Sequence, residues 1–195
     1  PLKRMSELKS IFDHMFHPFP DETVALFAQA FTKKEFTKKE YYLREGENCK
    51  HLAFIIKGAM MCYYNKDGKR FIDEFSLDHE FITDYSSFLN AIPSDKNIQC
   101  IEDTTVYEIS RKQLDKLYAQ NNADFERLGR VMAEQLYLQW HDKSKSLLID
   151  SATERYRKLI KNRDQLPQRV PQYLLAEYLG ITPESLSRIR KSTFL

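Results

Sequence analysis

The stretch "YLLAEYLGITPESLSRIRK", residues 173–191, decides the fold of this chain. Its first half puts Leu175, Ala176 and Leu179 on one helical face, and Gly180 follows directly. A helix end favours a residue that accepts the left-handed conformation, and glycine does so without a Cβ clash. Ile181 is placed to plug the corner. Thr182 is a good N-cap for a second helix, and Pro183 suits its first position, where the missing N–H is not needed. Leu186 and Ile189 then face inward, and Glu184, Ser185, Ser187, Arg188, Arg190 and Lys191 face outward. A small residue, a glycine four on and a buried aliphatic six further is the spacing of a helix-turn-helix. The other reading is an ordinary helical hairpin in a core. The polar, mostly cationic outer face argues against it.

The charge of the surrounding segment points the same way. The chain has 195 residues and a formal net charge of +2. Residues 151–195 hold nine Lys/Arg against four Asp/Glu, a net +5, which leaves −3 for residues 1–150. A basic tail on a mildly acidic body suggests an anionic partner for the tail, the other reading being a solvated surface. With 42% hydrophobic and 30% charged residues the chain reads as soluble and globular. No apolar run approaches the roughly 20 residues of a membrane helix. The first residues lack the apolar stretch of a signal peptide. Cys49, Cys62 and Cys100 are odd in number and widely spaced, so a reducing cytoplasm is expected rather than a disulfide framework.

Upstream, the periodicity changes twice. Residues 6–31 read as helical: Leu8, Ile11, Phe12, Met15 and Phe16, then Val24, Leu26, Phe27 and Phe31 after the break at Pro18 and Pro20. From Glu35 the runs are short and β-rich: "FTKKEYYLREGE", "HLAFIIKGAMMCYYNKDGKRFIDEFSLDHEFI" and "NIQCIEDTTVYEIS". Asp67-Gly68 between apolar runs predicts a hairpin, because both central turn residues need positive φ. Many short strands at this spacing predict a sandwich or barrel. Helical patterning returns from Arg111. Phe125, Leu128, Met132, Leu136 and Trp140 form one stripe on a long helix over residues 123–148. That helix exceeds what a domain of this size covers alone, so the stripe is expected to pair with a second copy of the chain. The other reading packs it along its own β-domain. Ser151 with Glu154 has capping-box spacing and starts the next helix.

At this point the layout resembles the Crp–Fnr family of bacterial transcription regulators. The resemblance is carried by "LLAEYLGITPESLSRIRK" and, more loosely, by "REGE", "FIIKGAMMCYY" and "TTVYEIS". It implies an α+β chain. A cyclic-nucleotide-binding-like β-roll (jelly roll, double-stranded β-helix) would span residues 1–122, a dimerisation helix 123–150 and a winged-helix-like helix-turn-helix domain 151–195. It implies a homodimer reading a near-palindromic site on double-stranded DNA, with RNA polymerase and a small-molecule effector as further partners. Glu184, Ser185 and Arg188 would face base edges. Ser187, Arg190, Lys191 and Arg169 would touch phosphates. Family members often add a β-hairpin wing after the recognition helix. Four residues follow Lys191, so either the wing is absent or the sequence stops short of it.

The effector pocket implied by the resemblance falls on Phe81, Thr83, Asp84, Tyr85, Asp95 and Lys96. Members that bind cyclic nucleotides carry a Gly-Glu-Leu turn there and, some ten residues on, an Arg followed by Ser or Thr. This chain has Thr83-Asp84-Tyr85 and Ser94-Asp95-Lys96. Asp84 can accept from a hydroxyl as a Glu would. Asp95 lies near the phosphate position, and Lys96 cannot make the two-pronged contact of an Arg. cAMP is therefore not the expected effector, and no cofactor is implied. Three scattered cysteines supply no iron–sulfur ligand set, and nothing singles out a haem ligand. Two other readings stand beside this one. One is a ligand-binding β-roll whose degenerate helix-turn-helix does not bind DNA, suggested by Glu177 and Glu184. The other is a cupin-like metalloenzyme, for which the β-region offers only His51 and His79, with no His-x-His. No nucleophile elbow or phosphate loop is visible, so an enzyme is not expected.

Overall fold

The computed structural model describes residues 6–9, 12, 19–120 and 122–193. Residues 6–9 and 12 are helical. Then follow α1 (Asp21–Ala30), β1 (Thr32–Phe36), β2 (Tyr41–Leu43), β3 (His51–Lys57), β4 (Met60–Lys66), β5 (Lys69–Ser76) and β6 (Phe81–Ile82). A short α2 (Tyr85–Asn90) precedes β7 (Asn97–Cys100) and β8 (Thr104–Ser110). The rest is helical: α3 (Arg111–Tyr118), α4 (Ala123–Ile149), α5 (Ala152–Asn162), α6 (Leu166–Arg169), α7 (Gln172–Leu179) and α8 (Pro183–Thr193). The strands form two four-stranded sheets, ordered β1-β8-β3-β6 and β2-β7-β4-β5, an antiparallel β-sandwich.

Two compact units emerge. The first comprises residues 1–62 and 75–133, the second residues 63–74 and 134–195. In the first unit, β8 pairs with β1 on one side and β3 on the other, so Glu108 stands opposite Thr32 and Ala53. Paired residues share a sheet face. Tyr107 and Phe54 share the opposite face, where Phe54 meets Phe12 and Phe31 edge-on, both at 5.6 Å between centroids. Phe27 meets Phe12 at 5.2 Å and Phe125 at 4.9 Å. This aromatic cluster welds α1 and the start of α4 to the sheet, and T-shaped contacts add to the burial energy. Leu8, Phe12, Val24 and Phe27 are buried as the periodicity required; Ile11, Met15 and Phe16 lie outside the described residues.

The punctuation follows the residues that demand it. Asp67 and Gly68 both have positive φ, 51° and 72°, and turn β4 into β5. Gly58 has φ 115°, and a Cβ there would stand 2.6 Å from both the Asp103 carbonyl oxygen and the Thr104 Cα. Ser110 with Gln113 and Ser151 with Glu154 each form a full capping box. The long helix exists as expected, but part of its apolar stripe is used differently. Phe125, Leu128 and Met132 are already buried within the single chain, not left open for the pairing with a second copy that the sequence pattern suggested. The aromatic cluster around Phe27 already covers that face. Leu136 is half-buried and Trp140 exposed.

Candidate functional site

Two regions concentrate residues with functional chemistry. In the second unit, α7 ends at Gly180, which adopts φ 68°. The Ile181 N–H reaches back to the Ala176 carbonyl (3.0 Å) and the Gly180 N–H to that of Glu177 (3.0 Å). These bonds satisfy carbonyls that a helix end leaves open. Thr182 Oγ1 accepts from the Ser185 N–H at 3.2 Å, capping α8. Leu174, Leu175, Ala176, Leu179 and Leu186 are buried; Ile181 and Ile189 are half-buried. Glu184, Ser187, Arg188 and Lys191 are exposed, whereas Ser185, Arg190 and Arg169 are half-buried.

Ser185 differs from its assignment as a free outward side chain. Its hydroxyl lies 3.2 Å from Thr182 Oγ1 and accepts from Arg188 Nη2 at 3.2 Å. Glu184 is held below its ordinary value by the backbone N–H at the helix start, then by Thr182 and Arg188. The first turn of α8 is thus internally hydrogen-bonded, and Arg188 is its outward cation.

Two side chains that sequence reasoning missed organise this unit. Arg155 donates to the Asp150 carbonyl (2.7 Å) and the Leu179 carbonyl (2.9 Å), joining the ends of α4 and α7. Arg70 grips the Glu177 carboxylate with two hydrogen bonds, 2.7 and 2.9 Å, and lies over the rings of Tyr63 and Tyr173. The Glu177 pairing also raises the Arg70 guanidinium above its ordinary value. Lys143 binds the carboxylate and backbone oxygen of Asp73. Glu177 is therefore a paired charge, which removes one of the two acids suggesting a degenerate helix pair. A sequence separation of 107 residues gives no signal for the Arg70 contact.

In the first unit, the segment proposed to hold an effector is built around Asp84. This carboxylate is 2% exposed. It N-caps α2 by accepting from the Ser87 N–H (3.4 Å) and accepts from the Ser94 hydroxyl at 2.7 Å. Ser94 in turn accepts from the Lys96 N–H at 3.0 Å. The Thr83 hydroxyl donates to the His51 carbonyl at 3.1 Å and lies 3.2 Å from Cys49 Sγ. Asp84 and Thr83 are thus committed to internal bonds that close residues 83–96 into a loop. Phe81 is buried, Tyr85 and Lys96 are half-buried, and Asp95 is exposed. Ser87 was overlooked, and Ser94 was named without a role; the ten-residue spacing of Asp84 and Ser94 was the available signal. Asp84→Ala removes the cap and the closer of the two acceptors of the Ser94 hydroxyl, the other being the Lys96 carbonyl at 3.1 Å, so it should lower stability by about 1–2 kcal/mol in urea unfolding.

The three cysteines are free thiols and buried. Burial pushes the Cys49 thiol up, and pushes Cys100 to about 11. Among the described residues no group of three His, Cys, Asp or Glu gathers to hold a metal, and no helix is long and apolar enough to cross a membrane.

Residues 33–121 match the sequence profile of the cyclic nucleotide-binding domain. The structure is similar to that of CLP from Xanthomonas campestris, described as a c-di-GMP responsive global regulator (TM-score 0.69, 18% identity, 89% of this chain and 91% of that one). It is also similar to FixK2 from Bradyrhizobium japonicum (TM-score 0.66, 21% identity, 83% of each chain). The chain has the fold of the Crp–Fnr regulators. Catabolite Activator Protein from Thermus thermophilus shares it as well, with a TM-score of 0.60 at 16% identity over 93% of this chain and 85% of that one. No curated protein sequence is similar enough to count as a relative. The matched domain contains the Asp84 loop and all eight strands but the first residue of β1.

Proposed function

We propose that the chain is a DNA-binding transcription regulator of the Crp–Fnr type. It acts as a homodimer on a near-palindromic site, in response to a small-molecule effector other than cAMP. The β-sandwich is its jelly-roll sensor, α4 its dimer helix, and α7–α8 its helix-turn-helix. The observation that carries this reading is the Gly180 turn, followed by a capped helix whose exposed side bears Arg188 and Lys191. Backbone phosphates and guanine edges suit such cations. Fluorescence anisotropy with genomic fragments, repeated over a salt series, tests it. Specific binding with a steep salt dependence is expected; absence of binding at low salt would favour the ligand-binding module instead.

The second part concerns cAMP. Arg is missing from residues 83–96, Asp95 stands exposed in its neighbourhood, and Asp84 is already bonded to Ser94. A cyclic phosphate would meet a carboxylate there without a bidentate cation to offset it. Calorimetry should give no cAMP binding tighter than about 1 μM. A tighter constant would overturn this part alone.

A further inference from the structure

The first unit contains a cavity of about 730 Å³ that none of the residues 81–96 line. Its wall includes Phe36 from β1, Tyr42 from β2, Cys49, His51 from β3 and Glu108 from β8. Glu108 is 8% exposed and makes no ion pair among the described residues. Its in-register neighbours, Thr32 and Ala53, supply no cation, and Lys34 and Lys50, which also line the cavity, form no ion pair with it, so four carboxylates against two lysines leave the wall acidic. The Tyr42 hydroxyl is buried and set toward the Glu108 carboxylate, outside good hydrogen-bond geometry. Burial, and then the nearby Glu108 carboxylate, push that phenol well above its ordinary value. Phe36 and Tyr42 meet edge-on at 5.6 Å. The three other carboxylates of the wall are already engaged: Glu35 pairs with Lys33, Glu40 accepts from the Thr37 N–H at 2.8 Å and Glu47 from the Arg44 N–H at 2.9 Å.

A nearly buried carboxylate with no cation on it, beside a phenol whose hydroxyl is not well bonded, is costly in native proteins unless something further satisfies them. A cavity of this volume is in the range that holds a small organic molecule. We propose that it binds a small aromatic cation, such as an amidine or amine on a planar ring, with the charge on Glu108 and the ring against Phe36 and Tyr42. A cation offsets the Glu108 charge, its N–H groups donate to the carboxylate, and the aromatic edge pair offers an apolar, π-rich wall. The Tyr42 hydroxyl can then donate to, or accept from, the ligand's polar edge. The site also has a path to the Asp84 loop. Cys49 lines the cavity, its N–H donates to the Ser87 hydroxyl at 2.9 Å, and its sulfur lies against Thr83. A ligand displacing Cys49 would be felt at the start of α2. This proposal stands independently of DNA binding.

The test is a protein-observed NMR titration of the full chain with benzamidine, without DNA, using neutral benzamide as the isosteric control. Benzamidine should bind with a dissociation constant of about 1 mM or tighter, the range open to a fragment of this size. Benzamide should bind at least about tenfold more weakly, since it lacks the charge. Glu108→Gln should reduce benzamidine affinity by at least about tenfold, while the melting temperature stays level or rises because a nearly buried charge without a cation is removed and an amide oxygen can still face Tyr42. Tyr42→Phe should weaken binding less. Absence of shifts at Tyr42 and Glu108 up to about 20 mM, far above fragment affinity, would sink the proposal and leave a water-filled cavity. Equal binding by Glu108→Gln, or shifts confined to residues 83–96, would also overturn it.

Discussion

Leu136→Glu should leave the chain monomeric at micromolar concentration while the wild type sediments as a dimer. The C-terminal half of α4 exposes Tyr137 (69%), Trp140 (50%), Leu147 (57%) and Leu148 (84%), more apolar surface than a lone helix of a soluble protein carries without a partner. On an ideal helix these residues and Leu136 form a band rotated by about 100° from the buried stripe of Phe125, Leu128 and Met132. One side of α4 is therefore consumed within the chain, and a different side is left exposed. Leu136 lies at the edge shared by both bands, which explains its half-buried state. A carboxylate there would be trapped in an apolar seam without a cation, at a cost of about 3–5 kcal/mol. Phe125→Ala is the contrasting change. It empties a site with no exposure and should cost about 3–5 kcal/mol of folding stability without acting through assembly. Analytical ultracentrifugation distinguishes the two, and a monomeric wild type at micromolar concentration would remove the interface altogether.

That rotation illustrates what periodicity carries and what it leaves open. Five apolar residues at spacings near 3.6 state that α4 has an apolar face. They do not state whether α1 or another protomer covers it, because Phe27 is 98 positions from Phe125 in the chain. Local signals fared better. Asp67-Gly68, the Ser151–Glu154 box and the turn at Gly180 each depend on residues within one turn of each other, and each took the conformation its chemistry requires. The family resemblance located the Asp84 loop, yet not its wiring. Asp84 was assigned to a ligand hydroxyl, and the hydroxyl it holds belongs to Ser94. Arg70 with Glu177, and Tyr42 beside Glu108, are products of tertiary folding between polar residues, which carry no hydrophobic period to betray them. Polar pairs of this kind are where sequence reading is weakest and where site chemistry resides.

Arg188 and Lys191 should separate cleanly in DNA binding. Arg188 is exposed one turn into α8, beyond the capped start formed by Thr182 and Ser185. With the N-terminal end of α8 in a major groove, its guanidinium reaches base edges, where a bidentate contact to guanine is worth about 1–3 kcal/mol per half-site. A two-fold dimer uses it twice. Arg188→Ala should therefore cost about 2–6 kcal/mol on the preferred site, little on random DNA, and relax selection at one base pair in each half. Its contact with the Ser185 hydroxyl matters here, because a serine engaged in holding the guanidinium would position it rather than read a base. Ser185→Ala should accordingly cost less than Arg188→Ala and leave the preferred base unchanged. Lys191 lies almost a full turn further along, exposed, where phosphates would pass. Lys191→Ala should weaken specific and random DNA alike and lower the salt slope by about one unit per subunit. Competition anisotropy at three salt concentrations measures all of this. Equal losses on both DNAs for Arg188→Ala would assign it to the phosphates, and no loss for either variant would make α7–α8 a structural hairpin.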